Sequence, residues 1–310
     1  MRPSLRQLEY IVTVARLGGF GLAADALHVS QPSLSAQIAE VEAELGTRLF
    51  HRGRSGASPT SMGEEIVRRA QRILAQVEDL RSVAREGASK PFGGRLRLGV
   101  LPSIGPYLLP PVIASMHRSH PELRILIREE NTHNLELGLR QGRFDLIIST
   151  PEDHANTRQQ RLFSEKLLVA VARDDPLGAG SGPVGASDLR GRNVLTLDRG
   201  HRLSRIVYAL ASECHGLISE EYEGTSLDSI CMMAASGAGV AILPELYARR
   251  QAQGRPEVAI RPLDMAQASR VISLLQPADG PDLPGTELLY QALHTEIRRV
   301  GLCTPDLPTI

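Results

Sequence analysis

The stretch Val29-Ser30-Gln31-Pro32-Ser33-Leu34-Ser35-Ala36-Gln37-Ile38-Ala39-Glu40-Val41-Glu42-Ala43-Glu44-Leu45-Gly46 decides how the N-terminal part of the chain folds. Its apolar residues Leu34, Ile38, Val41 and Leu45 fall at steps of four, three and four, which is one face of an α-helix. Ser30 is a good N-cap, Pro32 sits in the first turn where its missing N–H does no harm, and Gly46 suits the C-terminus. The opposite stripe reads Ser33, Gln37, Glu40, Glu44. Its first half is small, polar and uncharged, suited to base edges and phosphates. Its second half is acidic and repelled by phosphate. Such a helix reads DNA end-on, through its N-terminal turns, or else it is an ordinary amphipathic surface helix.

The flanking sequence favours the first reading. Leu5, Leu8, Val12 and Ala15 predict a helix ending before Gly18-Gly19. Gly21 to His28 is rich in alanine and predicts a short helix able to pack closely, and a turn through His28-Val29-Ser30 leads into the stretch above. Helix, short helix, tight turn and capped helix is the helix-turn-helix arrangement. After Gly46, the glycines in Leu49-Phe50-His51-Arg52-Gly53-Arg54-Ser55-Gly56-Ala57-Ser58-Pro59-Thr60 fit a hairpin-like wing, and Arg52 and Arg54 are placed to meet phosphates beside a groove. The residues expected to approach DNA are therefore Ser30, Gln31, Pro32, Ser33, Ser35 and Gln37 on the helix, with Arg52 and Arg54 on the wing.

From Ser61 to about Ser89 the pattern is one long helix. Ile66, Ala70, Ile73, Val77, Leu80 and Ala84 alternate four-three-four-three-four, the spacing of a coiled-coil seam. A stripe this narrow asks for a partner helix, so a dimer is expected; packing on the chain's own downstream part is the other way to cover it. Pro91-Phe92-Gly93-Gly94 breaks the helix and reads as a hinge. Beyond it strands alternate with helices: Arg95–Leu101, Leu123–Arg128, Asp145–Ser149, Leu167–Ala172, Val194–Leu197, Gly239–Leu243 and Arg270–Leu275 read as strands, and Glu287–Val300 as a terminal helix. The expected organisation is a winged helix-turn-helix over 1–60, a dimerising helix over 61–90 and an α/β part over 91–310. In α/β proteins ligands sit at strand carboxyl ends and helix N-termini. Four such places carry polar groups: Ser103, the Thr132-His133-Asn134 turn, Gly200-His201-Arg202, and Thr225-Ser226.

Composition removes several alternatives. Arginine and lysine together number 35, as do aspartate and glutamate, so a nucleic-acid partner has to be argued from local charge. No apolar run approaches the about 18 residues needed to span a bilayer, and Met1 to Leu8 lacks the apolar core of a secretory signal, so a cytoplasmic protein with no membrane partner is expected. Cys214, Cys231 and Cys303 have neither metal-ligand spacing nor a disulfide framework, and no metal or cofactor is expected. His117 and His120 lack a third ligand and read as surface histidines. Gly180-Ser181-Gly182-Pro183-Val184-Gly185 matches a nucleotide-binding fingerprint only in form, because no strand runs into it and Pro183 removes an N–H. A periplasmic solute-binding protein leaves the first ninety or so residues unexplained. An α/β enzyme needs a catalytic constellation that is not found, so no catalysis is expected.

Together the Ala23–Ser35 run (Ala-Ala-Asp-Ala-Leu-His-Val-Ser-Gln-Pro-Ser-Leu-Ser), the Glu44–Arg52 run (Glu-Leu-Gly-x-x-Leu-Phe-x-Arg) and Gly237-x-Gly239 with Leu243-Pro244 strongly resemble the LysR-type transcriptional regulators over essentially the whole chain. The resemblance implies a winged helix-turn-helix, a dimerising linker helix and an α/β effector domain of periplasmic-binding-protein type, two subdomains with a small-molecule cleft between them. It also implies double-stranded promoter DNA as partner, RNA polymerase where such a protein activates, and a homo-dimer or homo-tetramer. Within the family the chain resembles the peroxide-sensing OxyR branch, through Leu101-Pro102-Ser103-Ile104-Gly105-Pro106-Tyr107-Leu108-Leu109-Pro110, Thr132-His133, Gly200-His201, Thr225-Ser226-Leu227 and Arg270. Ser103, Thr132, His201 and Arg270 match that branch's polar pocket; with His133, Arg202 and Thr225 they form the expected effector-binding set. At the branch's peroxide-reactive cysteine stands Arg202, and at its resolving cysteine Ala211. An arginine cannot attack peroxide, so thiol switching at that site is excluded, and a reversible effector, favoured as a small anion, is expected in its place. The alternative is a redox response through a non-standard cysteine such as Cys214.

Overall fold

The computed structural model of the chain describes residues 3–53, 56–86, 91–180, 182–198 and 200–303; for Arg52, Glu78, Asp79, residues 81–86 and Glu221 it describes the backbone alone. These residues form two compact units that divide near residue 89, with Arg140–Arg143 grouped with the first.

The first unit opens with α1 (Leu5–Leu17), started by a capping box between Ser4 and Gln7 and ended by Gly18 in the left-handed region. Helix α2 (Phe20–Ala26) buries Ala23 and Ala24, whose small side chains let α3 (Gln31–Leu45) approach closely. The Ser30 hydroxyl accepts from the Ser33 N–H at 3.3 Å, and Gly46 ends the helix at φ +66°. Leu34, Ile38 and Val41 are buried as the spacing predicts, but Leu45 stays 40% exposed, so the buried stripe ends one turn early. Strands β1 (Phe50–Gly53) and β2 (Gly56–Pro59) pair antiparallel as the wing, Phe50 opposite Pro59. The Glu42 carboxylate accepts from the Leu49 and Phe50 N–H groups at 2.7 and 3.2 Å, fixing where the wing departs from α3. Gly56, at φ +124°, brings its Cα so close to the end of α1 that a Cβ would stand 2.4 Å from the Gly18 carbonyl oxygen; only glycine fits there. Helix α4 (Ser61–Glu86) follows, with Ile66 and Val67 against the core of this unit and Ala70 buried.

In the second unit Pro91–Gly94 forms a 3-10 turn rather than the open hinge expected from its glycines. Phe92 is buried and its N–H donates to the Pro284 carbonyl, so the turn is anchored to this unit. Then follow β3 (Arg95–Val100), α5 (Gly105–Ser119), β4 (Arg124–Glu129), α6 (Thr132–Arg140), β5 (Leu146–Ser149), a turn at Pro151–Asp153 and the long β6 (Thr157–Ala172). The chain continues through the short α7 (Pro176–Ala179) and α8 (Ala186–Leu189) to β7 (Asn193–Leu197), α9 (Arg202–Glu213), β8 (Leu217–Gly224) and α10 (Leu227–Ala235). It ends with β9 (Val240–Pro244), α11 (Glu245–Tyr247) prolonged to Ala252, β10 (Val258–Pro262), β11 (Ser269–Pro277) and α12 (Thr286–Val300). The strand order is β4-β3-β5-β11-β6-β9-β7-β8, with β10 also on β6.

One strand serves both halves of this sheet. Thr157–Lys166 of β6 pairs with β11, while Leu167–Ala172 pairs with β9 and β10. On one side β3, β4 and β5 run parallel; on the other β7, β8 and β9 do. Each half therefore presents strand carboxyl ends and helix N-termini beside the shared strands, the place where polar side chains can converge. Val184 of the fingerprint-like loop bridges to Leu263, and Gly185 caps α8.

Candidate functional site

Two sites are built from the expected residues. On α3, Gln31, Pro32 and Ser33 are exposed, and Ser35 is half-buried. Ser30 is exposed but its hydroxyl is occupied by the cap. Gln37 is held from two sides: the Gln7 amide donates to its Oε1 at 3.1 Å, and its own Nε2 donates to Glu40 Oε2 at 3.2 Å. The free polar end of the helix is thus its first turn, while Gln37 ties α3 to α1. On the wing, Arg52 lies opposite Ala57; its side chain and the whole of Arg54 lie outside the described residues.

In the second unit the expected residues separate into two groups. Arg270 on β11 faces Glu165 on β6, directly opposite in the ladder. Its Nε donates to Glu165 Oε1 at 2.8 Å, and both side chains are almost wholly buried, 2% and 0% exposed. Its Nη1 donates to the Ser103 hydroxyl at 3.0 Å, while Glu165 Oε2 accepts from the Leu246 N–H at 2.8 Å. Arg270 is therefore neutralised by a carboxylate that sequence reasoning missed.

Arg202 opens α9 and lines a cavity of about 420 Å³ with Thr150, Glu152, Arg205, Ile206, Ala209, Gln267, Ser269 and Arg270. Its Nη1 donates to Asp153 Oδ1 at 2.8 Å; Arg205 Nη2 reaches the same oxygen at 3.1 Å, and the Thr150 hydroxyl donates to Asp153 Oδ2 at 2.7 Å. These bonds join α9 on one half of the sheet to the turn after β5 on the other. Asp153 is only 9% exposed, so its charge is compensated by two guanidiniums. Arg202, Arg205, Ile206 and Ala209 stand at i, i+3, i+4 and i+7, one helix face visible in the sequence. Asp153 carries no such signal, because its partner lies 49 residues away.

The other expected residues lie elsewhere. Thr132 begins α6, buried, with an Oγ1 that has no hydrogen-bond partner among the described residues. His133 and Thr225 are exposed. His201 precedes α9 with Nε2 at 3.5 Å from Asp198 Oδ2. None of these four lines the cavity. A second tie between the halves runs from Tyr107 on α5, whose hydroxyl donates to Asp228 Oδ2 at 3.2 Å, while Tyr247 donates to Asp228 Oδ1 at 3.1 Å. Burial pushes both phenols above their ordinary range, so both remain donors at neutral pH.

The thiols are apart from all this. Cys214 is buried at the end of α9, its Sγ donating to the Ala211 carbonyl at 3.4 Å. Cys231 is fully buried, and burial raises its pKa. Cys303 is exposed. Ala211 is buried.

Comparison with known proteins agrees with this layout. The model described as "Bacterial regulatory helix-turn-helix protein, lysR family" matches residues 5–64, and the "LysR substrate binding domain" matches residues 89–298. A hydrogen peroxide-inducible genes activator of Pectobacterium carotovorum subsp. carotovorum is 33% identical over 279 residues, covering 90% of this chain and 91% of that protein. Among solved structures, a full-length cysteine-to-aspartate variant of OxyR from Pseudomonas aeruginosa superposes with a TM-score of 0.74 at 32% identity, covering 94% of this chain and 98% of that one. A hydrogen peroxide-bound cysteine-to-serine variant of OxyR from Corynebacterium glutamicum gives 0.62 at 29%, covering 97% and 96%. With a DNA-binding wing and helix at one end and an effector-binding α/β unit at the other, the chain belongs to the LysR family of DNA-binding transcriptional regulators.

Proposed function

We propose that this regulator reads promoter DNA through Gln31 and Ser33 at the start of α3, and that its DNA binding is governed by a small effector held without covalent chemistry in the effector unit. The observation that carries the second half is Arg202: a cation lining the cavity stands where the sequence resemblance places a reactive thiol. A guanidinium offers hydrogen bonds and charge but no electron pair for peroxide. A carboxylate or another small anion is the effector class that suits it. The unit acts by binding, not turnover, and it works in the cytoplasm, where its DNA is. Hydroxyl and amide groups at Ser103, Thr132 and Gln267 supply further polar contacts for an effector in the same unit.

Two results are expected. Replacing Gln31 or Ser33 with alanine removes a base contact and relaxes sequence preference by about 1–3 kcal/mol per contact, whereas Arg54→Ala weakens all sequences alike and lowers the salt slope by about one unit. Mobility-shift titrations on specific and random duplexes at several salt concentrations measure both; equal losses on both duplexes for Gln31→Ala and Ser33→Ala would rule out base reading there. In thermal-shift screening, an effector at 100 times its Kd stabilises the protein by about 2.7 kcal/mol. Peroxide, by contrast, leaves DNA binding of the wild type unchanged. The relatives' names keep a thiol-based response as the second reading. A peroxide effect abolished by Cys214→Ser or Cys303→Ser would establish it.

A further inference from the structure

We propose that Arg202 and Arg205 form a carboxylate-binding site in which Asp153 is the resident occupant, and that the effector is a small monocarboxylate that takes its place. This rests on the non-covalent effector reading above and names the chemistry of its ligand. Both guanidiniums converge on one oxygen, Asp153 Oδ1, at 2.8 and 3.1 Å. Two cations sharing one carboxylate leave a surplus positive charge on the cavity wall, and Arg202 Nε is buried without a hydrogen-bond partner among the described residues. A second carboxylate therefore meets an unfinished donor set, not a sealed ion pair.

The rest of the cavity limits what that carboxylate is attached to. Ile206 and Ala209 continue the same face of α9 and offer an apolar surface. Glu152 is exposed on the neighbouring turn and also lines the cavity, so a second negative charge on the ligand is repelled. One carboxylate on a short apolar body fits; a dicarboxylate does not. Because Asp153 belongs to the turn after β5 and both arginines to α9, exchanging Asp153 for a ligand breaks this tie between the two halves of the sheet. Thr150 keeps Asp153 oriented by its own hydroxyl bond at 2.7 Å, which holds the carboxylate ready to return when the ligand leaves. Binding and opening are then one event.

The test uses the full-length protein with butyrate, hexanoate and succinate as probes. Calorimetry is expected to give hexanoate and butyrate binding to the wild type, with succinate weaker. Asp153→Asn removes the competing charge while keeping the shape, and tightens monocarboxylate binding about tenfold or more. Arg202→Met weakens it by a similar factor. Glu152→Gln narrows the gap between butyrate and succinate. Hydrogen exchange supplies the second readout: residues 150–154 and 202–209 exchange faster in ligand-free Asp153→Asn, as they do in the wild type saturated with hexanoate. Monocarboxylates that bind the wild type with an affinity and exchange pattern unaltered by Asp153→Asn would overturn the exchange with Asp153, leaving the effector reading in place. Binding of none of the three probes to the wild type or to Asp153→Asn would overturn the site itself.

Discussion

Replacing Arg270 with methionine is expected to lower the stability of the effector unit by about 3–5 kcal/mol, the cost of leaving the Glu165 carboxylate uncompensated in the interior. The two charges lie 2.7 Å apart with side chains 2% and 0% exposed, so water cannot replace the missing guanidinium. The pair also joins β11 to β6, the two strands at the centre of the sheet. Changing Glu165 to methionine as well removes the stranded charge and recovers part of the loss. The recovery is incomplete, because the Ser103 hydroxyl and the Leu246 N–H each lose a partner, at about 1–3 kcal/mol for each group left unsatisfied. Urea denaturation of the three proteins measures this, with an unchanged slope as the sign that compactness is preserved. A single variant within about 1 kcal/mol of wild type would mean that the pair is not buried in solution. The consequence for function is direct. Arg270 was expected from the sequence to donate to an effector, but most of its donors and all of its charge are committed to the scaffold. A loss of effector response in an Arg270 variant therefore reports damage to the sheet, and Arg202 is the informative position for ligand chemistry.

The contrast between these two arginines marks how far the sequence could be read. Local rules were sufficient for the reading helix, since Ser30, Pro32, the Leu34–Ile38–Val41 stripe and Gly46 act through neighbours within one or two turns. The wing hairpin and most strands of the second unit followed from the same short-range signals. Strands whose pattern is not apolar were missed. Leu217–Gly224 carries Glu220, Glu221 and Glu223 at the sheet edge, and the first half of β6, Thr157–Arg161, is polar because much of it faces solvent. Pro110 and Pro111 sit inside α5, where local propensity argues against a helix, yet Leu108, Leu109, Val112 and Met116 bury its inner face. The cavity shows the same division. Arg202 drew notice by its place in a motif, but whether its charge is free depends on Asp153, and that of Arg270 on Glu165. Those partners come from strands and turns 49 and 105 residues away, a distance over which no periodicity speaks.

Charging the seam of α4 is expected to separate the subunits and, with them, most of the operator affinity. The expected seam divides within this helix. Ile66 and Ala70 are covered inside the first unit, but Ile73 is 41% and Leu80 69% exposed in the single chain. Large apolar side chains at coiled-coil spacing with nothing over them suit a second copy of the same helix. Ile73→Asp or Leu80→Asp leaves the isolated subunit stable, because each aspartate is solvated there. In the dimer each is buried against its symmetry mate, which costs several kcal/mol unless it finds a partner. Sedimentation is therefore expected to show a smaller assembly for either variant, and a smaller one still for the pair. DNA binding then falls steeply. Two recognition helices held on one frame read half-sites about 34 Å apart or a multiple of it, and linkage makes the second contact intramolecular, worth about 10²–10⁴ in affinity. A separated subunit keeps its contacts to one half-site and loses that factor, so a mobility shift on a full operator drops to the level of a single half-site. If Ile73→Asp combined with Leu80→Asp sediments like the wild type, the assembly is held by another surface. If the subunits separate but full-site affinity is retained, the two helices were never read as a linked pair.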